Sequence, residues 1–392
     1  MASSHAHPAP APLGGKLLTP WTVFFGLLSL VGLYIIGKRL IFGIGAVSNI
    51  NDGFPWGIWM VWDLVIGAAL SCGGFAVALV VYIFNKGRYH PPVRPALLAS
   101  LFGYTLAATS LFFDLGRYWN FWHVFWPRYA QVNSVIFELA VCMTAYILVM
   151  WIEFTPTIME KFGMHGLRRR LEKWLFLFIG LGVLLPAMHQ SSLGSMLVIF
   201  GQQIHPLWQT PLLPLLFLIS CLAMGFAMVV FEASVSSVGF RRPLEMDILS
   251  GVGQLLKWFL LAYLVARFGD LIWRGALGYA FEPGVRPLMF WVENGLIAIA
   301  VALLWTERLR RNPQKLFLAA VAMVLGGVFY RLNAFYTAYD TGDGWSYFPS
   351  LSEILVTVGF MSMEILAFII VVRLLPVLPA QEEPAPEAAA AS

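Results

Sequence analysis

Ten stretches of this chain stay apolar over enough consecutive residues to cross a bilayer, which excludes most folds at once. A helical span needs about 20 such residues. The stretches cover roughly 20–42, 56–84, 95–116, 132–157, 171–200, 211–238, 248–273, 287–306, 315–337 and 350–376, each bounded by Pro, Gly or clustered charge. They are far too long for barrel strands, and in lipid each must satisfy its own backbone hydrogen bonds. The expected fold class is therefore all-α, a polytopic transmembrane helical bundle of about ten spans.

Composition agrees, because 59% of the residues are hydrophobic and 12% charged, against about 45–50% and about 25% in soluble domains. Spans and short loops nearly use up the 392 residues. A separate soluble catalytic domain is not expected, and redox metal centres outside the bilayer would sit on a partner. Residues 1–18 and 379–392, rich in Pro and Ala, read as disordered tails flanking a 19–378 bundle. His5 and His7 read as part of a solvated tail. The first apolar run is too long for a signal-peptide core and is expected to be a retained anchor. Membrane lipid is an expected partner; nucleic acid is not.

Orientation follows from Lys and Arg, which favour the cytoplasmic side. With both termini on one side, that side carries sixteen of them and the opposite side eight, with Lys257, well inside a span, left out. Both termini are expected to be cytoplasmic, in a multi-pass protein of the bacterial inner membrane.

Cys72, Cys142 and Cys221 lie in separate spans, with none of the close spacing that ligates an iron–sulfur cluster. Small buried hydrophobes are their default role. Of the seven histidines only His189 sits well inside a span, since His90, His123, His165 and His205 fall in loops. One helix histidine cannot make a bis-histidine haem site. Neither haem, cluster nor any other metal is expected in this chain.

The polar residues within the spans are more telling, because an ionisable group at a span centre costs about 2.5–3.5 kcal/mol on insertion scales. Alternating span direction gathers Asp63, Asp114, Arg117, Glu138, His189, Gln190, Ser191, Arg267, Asp270, Glu293, Arg331, Asn333 and Glu353 in the outer third. Asp114 with Arg117, and Asp270 with Arg267, could be structural bridges one helical turn apart. Asp63, Glu138 and His189 have no such local partner. Trp56, Trp59, Trp119, Trp122, Trp126 and Trp208 read first as an interfacial belt.

A quinone head needs an apolar, aromatic slot, donors at its carbonyls and groups that exchange two protons. His189, Gln190 and Ser191 supply donors on successive residues just after Pro186, which lacks the N–H of a regular helix. The candidates for proton exchange are His189, Asp63 and Glu138. Those for quinone binding are Trp59, Asp63, Asp114, Arg117, His189, Gln190 and Ser191, with menaquinone and ubiquinone left undistinguished. Towards the other face, Glu364 at midspan with Glu232, Glu153 and Lys257 would form a proton path. The plainer alternative is a Glu232–Lys257 pair, or acids that reach out to water.

The segments GFPWGIWMVWDLVIG (53–67), CGG (72–74), YHPPVRPALLASLFGY (89–104), DLGRYWN (114–120), NSVIFE (133–138), LPAMHQSSLGS (185–195) and HPLWQTPLLPLLF (205–217) resemble the NrfD family of quinone-reactive membrane subunits, in particular its hydrogenase-associated branch. The similarity runs from about Gly14 to Pro379. Tyr118 departs from it, standing where Pro commonly follows DLGR. The resemblance implies a complex in which a ferredoxin-like iron–sulfur subunit and the small and large subunits of a nickel–iron hydrogenase dock on the outer face. Electrons would pass between them and a quinone held by this chain. Members of the branch are often called b-type cytochromes, a name that the missing paired histidines do not support. The alternatives left open are a proton-conducting or anchoring subunit without its own quinone site, or a b-type cytochrome. A secondary transporter would show repeated halves, and none is evident.

Overall fold

A computed structural model describes residues 10–89, 91–342 and 344–379, with only the backbone of Arg88 and Pro379. The readings of His5, His7, His90 and the tail beyond residue 379 lie outside these residues. Among the described residues ten helices are long and apolar enough to cross a membrane: α1 Pro20–Phe42, α2 Trp59–Ile83, α3 Val93–Asp114, α4 Val135–Lys161, α5 His165–Gln203, α6 Leu213–Gly239, α7 Met246–Trp273, α8 Val285–Leu303, α9 Pro313–Thr337 and α10 Leu351–Leu374. All ten fall within a few residues of the expected stretches.

Their starts are written locally. Thr19 and Ser350 open α1 and α10 with reciprocal capping boxes to Thr22 and Glu353, and Pro20 and Pro313 sit near the first turn, where a missing N–H costs nothing. Within the stretch read as a disordered tail, residues 10–14 are held against the end of α10. Strand β1 (Pro10–Ala11) pairs antiparallel with β2 (Leu378–Pro379). The Leu13 and Gly14 N–H groups donate to the Val372 and Arg373 carbonyls at 3.0 and 3.1 Å. Those carbonyls belong to the last turn of α10, where the helix supplies no donors of its own. Both ends of the described chain therefore lie at one end of the bundle, termed the terminal face. Odd-numbered helices run from it to the far face.

The centre of the bundle is α2 and α6, whose central windows are 78% and 72% buried, against 11% for α5 and 28% for α1 and α10. Small residues bring these two together. A Cβ on Gly225 of α6 would lie 2.5 Å from the Cys72 carbonyl of α2, so only glycine allows this approach, as in other membrane helix pairs. α2 is irregular, with π-helical turns at Trp59–Ile66 and Leu79–Ile83 and a break at Ser71–Cys72. Such turns recur at functional sites. α9 likewise ends in a π-helical turn, Asn333–Thr337. Pro186 does not interrupt α5, which stays helical through it.

Candidate functional site

Near the far face the first turn of α10 anchors a polar cluster. The wholly buried Glu353 accepts from the Asn49 and Ser350 N–H groups at 2.9 and 2.7 Å and from the Tyr347 hydroxyl at 2.7 Å. Burial, and then the adjacent Glu353 carboxylate, push the Tyr347 phenol up. Trp59 donates its indole N–H to the Glu353 carbonyl at 3.0 Å and is packed among Ile35, Ile36, Val356 and Phe360. Trp59 thereby ties α2 to the start of α10. Asp63 is buried and accepts from Thr357 at 3.3 Å.

Asp114 does not pair with Arg117, which is exposed. The cation beside it is Arg39 of α1, which donates to the carbonyls of Phe113, Leu115 and Gly116 and so caps the C-terminus of α3. Asp114 keeps one oxygen unpartnered. Asp270 likewise turns from Arg267 to Arg274, at 2.7 Å, and to Thr210 at 2.8 Å. Arg267 instead meets Glu293 of α8 at 3.2 Å, both fully buried.

A second cluster lies deeper. Tyr104 precedes the end of α3 by ten residues, which at 1.5 Å per residue is about 15 Å below the Asp114 level. His189 of α5 is fully buried against the Tyr104 ring, 5.8 Å between centroids, and neither of its ring nitrogens has a hydrogen-bond partner. Gln190 bridges outward, donating to the Tyr104 hydroxyl at 3.3 Å and accepting from Arg331 at 3.4 Å. Arg331 is fully buried, and its other contacts are the Ser220 hydroxyl at 3.3 Å, the Met224 sulfur at 3.1 Å and the face of Phe217. Among the described residues no carboxylate pairs with it. The Cys72 thiol, 3.4 Å from the Tyr104 hydroxyl, closes the cluster.

The sequence candidates therefore divide. His189 and Gln190 come together; Asp63, Asp114 and Trp59 form the shallower cluster; no described hydrogen bond or ring contact joins the two. Ser191 turns its hydroxyl onto its own helix, to the carbonyls of Ala187 and Met188. Its neighbour Ser192 donates to Glu138 at 2.9 Å, at the exposed far rim. Trp56 and Trp208 are core residues rather than belt, bonded to the Phe335 carbonyl and to Glu293, whereas Trp119, Trp122 and Trp126 are exposed. Tyr104 and Arg331 complete the deep cluster. The sequence signal for them was slight, a tyrosine in an apolar run and an arginine among the polar residues of the outer third.

Towards the terminal face a cleft of about 110 Å³ opens beside Pro95, Ala96, Glu232, Ser236 and Arg242, roomy enough for several waters. Glu232 and Glu364 are close enough to act on each other electrostatically. A Cβ on Gly103 would meet the Ser71 hydroxyl at 1.7 Å and the Glu364 carboxyl at 3.1 Å, so both groups reach into the space that this glycine leaves. Ser71 adjoins Cys72 of the deep cluster. Glu153 presses on Gly182 of α5 with one oxygen unpartnered and acts electrostatically on Tyr146, whose ring meets Tyr104 edge-on at 4.7 Å. Lys257 is outside this row, its ammonium lying over the rings of Trp258 and Trp305 at 4.7 and 5.6 Å. It forms no pair with Glu232.

The far-face loops are pinned to one another. His205 donates its backbone N–H to the Ala338 carbonyl at 2.8 Å, and Ile204 bridges to Tyr339. Burial, then the Arg286 guanidinium, hold the His205 imidazole below its ordinary 6.5, against the opposite pull of Asp340.

This architecture defines a polytopic helical membrane protein whose polar groups converge inside the bundle rather than on a soluble domain. The chain belongs to the NrfD family: the family described as "Polysulphide reductase, NrfD" matches residues 46–341. It is 45% identical over 373 residues to the probable Ni/Fe-hydrogenase 2 b-type cytochrome subunit of Escherichia coli strain K12, covering 94% of this chain and 95% of that protein. It is 28% identical over 390 residues to the menaquinone reductase integral membrane subunit of Nitratidesulfovibrio vulgaris, covering 92% and 91%. It is 25% identical over 414 residues to a selenate reductase subunit of Mesobacillus selenatarsenatis, covering 92% and 94%. As for the haem in the first of these names, His123 stacks on Tyr129 and His205 packs near Trp208 and Tyr279. No hydrogen bond or ring contact among the described residues joins either of these two histidines to His189.

Proposed function

We propose that this chain is the quinone-reactive membrane subunit of a respiratory hydrogenase complex, with the quinone head held by His189, Gln190, Tyr104 and Arg331. The observation that carries this is His189, fully buried with both ring nitrogens unpartnered, next in sequence to the Gln190 that links Tyr104 to Arg331. Buried polar atoms are nearly always satisfied by protein, water or ligand. Imidazole and amide can donate to quinone carbonyls. The unpaired guanidinium of Arg331 offsets the negative charge that develops on the quinone oxygens during reduction. Menaquinone and ubiquinone present the same carbonyl pair to these donors.

Electrons reach this site from a ferredoxin-like iron–sulfur partner docked on the far face, which is the periplasmic side, and ultimately from the small and large subunits of a nickel–iron hydrogenase. The name of the Escherichia coli relative supports the hydrogenase link, and that of the Nitratidesulfovibrio relative supports the quinone. Both termini are cytoplasmic, in the inner membrane. Protons for the quinone enter through the terminal-face cleft by Glu232 and Glu364. Asp63 and Glu138 exchange protons at the far rim. His189→Ala in the intact complex tests the site: turnover of a soluble quinone analogue should be lost while an artificial soluble acceptor is still reduced. Undiminished quinone turnover would remove His189 from it.

A further inference from the structure

Beside Arg331, α7, α8 and α9 enclose a second group of buried polar side chains, of which Tyr263, Tyr330, Arg267 and Glu293 take no part in the quinone site proposed above. Glu293 is saturated there by Arg267 at 3.2 Å, Trp208 at 3.1 Å and Asn333 at 2.8 Å. Beside it the rings of Tyr263 and Tyr330 meet edge-on at 5.4 Å, with Arg267 over Tyr330 at 5.5 Å. The Tyr263 and Tyr330 hydroxyls, Nε and Nη1 of Arg267 and Nε of Arg331 have no hydrogen-bond partner, although all four residues are at most 1% exposed. Bare polar atoms at membrane depth cost several kcal/mol each. Five of them on four residues in mutual electrostatic contact point to bound water bridging them.

We infer that these waters, with the Tyr330 and Tyr263 hydroxyls, form a proton route from the quinone site to the far face. The inference rests on the quinone reading above. Tyr330 directly precedes Arg331, and Tyr263 stands one helical turn from Arg267 on α7. Beyond them Glu293 binds Asn333, which accepts from Thr337 at 2.9 Å near the far end of α9. A tyrosine hydroxyl both donates and accepts, so each passes a proton by taking one from the water on one side and releasing its own on the other. No electron is moved and no group is consumed. Quinol oxidation sends protons outward along the route, whereas the protons for quinone reduction enter through the terminal-face cleft.

Tyr330→Phe and Tyr263→Phe each remove one oxygen and keep the packing. In the intact complex each should lower oxidation of a soluble quinol analogue about tenfold, below the range usual for a lost acid–base group because water can bypass a single hydroxyl. A solvent deuterium isotope effect larger than that of the wild type should appear, with KM for a soluble quinone analogue and reduction of an artificial acceptor unchanged. Wild-type turnover and isotope effect in both variants would overturn the route. So would a high-resolution map of the assembled wild-type complex without ordered water between Tyr263, Tyr330 and Arg267, a measurement that needs no variant to fold. If His189→Ala keeps full quinone turnover, it is the quinone site that fails. If His189→Ala abolishes turnover while both tyrosine variants behave as wild type, only the route fails.

Discussion

Arg331 directs its guanidinium at the side-chain oxygen of Gln190, 3.4 Å away, and at no carboxylate among the described residues. A fully buried cation without a counter-ion is costly, and such groups in a membrane interior mark substrate or ion pathways. Lysine carries the same charge but lacks the planar fork that meets Gln190, Ser220 and Met224 together. Arg331→Lys is expected to lower quinone-linked turnover at least about tenfold, equivalent to about 1.4 kcal/mol, with little change towards an artificial acceptor. Equal losses with both acceptors would point to a structural role instead.

Glu364 and Glu232 stand between the terminal-face cleft and the deep cluster. Moving one charge across the membrane potential is worth about 2.3 kcal/mol per 100 mV, so a route from this side makes turnover sensitive to potential. Glu364→Gln and Glu232→Gln should slow quinone-linked turnover in proteoliposomes and lessen that sensitivity. Full turnover with wild-type potential dependence in both would show that protons come only from the far side.

Gly225 tests the centre of the fold. Its added Cβ would lie 2.5 Å from the Cys72 carbonyl and 2.8 Å from its carbon, atoms of backbone that cannot swing aside. Overpacking of this kind costs about 1–3 kcal/mol. Gly225→Ala should lower the thermal midpoint of the solubilised protein, whereas Gly26→Ala, with nothing within 4 Å of the new atom, should not.

His205 gives the far-face loops a pH dependence with a definite sign. Its folded pKa lies below 6.5, so the unfolded form binds the proton first as pH falls. Stability from this group is complete above about 6.5 and declines on acidification below it. Protection of the 201–208 and 338–340 amides from hydrogen exchange should weaken between pH 7 and pH 5. His205→Asn should flatten that trend; an unchanged trend would assign it to another group.

The ten spans were legible because each is a local property of length and apolarity, and capping residues such as Thr19 and Ser350 mark their starts. Pairing across the bundle was less so. Helical spacing suggested Arg117 for Asp114 and Arg267 for Asp270; a neighbouring helix instead sets Arg39 beside Asp114 and draws Arg267 to Glu293, which leaves Asp270 to Arg274, four residues on in its own helix. His189 and Gln190 stood out as polar residues in an apolar run. Tyr104 and Arg331 reach them only through tertiary packing, with nothing in their own segments to say so. Asp63 and His189, which alternating span direction placed in one layer, share no described hydrogen bond or ring contact.

The central claim, a quinone head held between α5 and α9, is tested most directly by photolabelling the intact complex with an azido-quinone and mapping the modified peptides. The account predicts label on the α5 segment around His189–Gln190 and on the α9 segment around Arg331, displaced by excess unlabelled quinone. Displaceable label confined to the shallower cluster around Trp59 and Asp63, or no displaceable label in this chain, would contradict it.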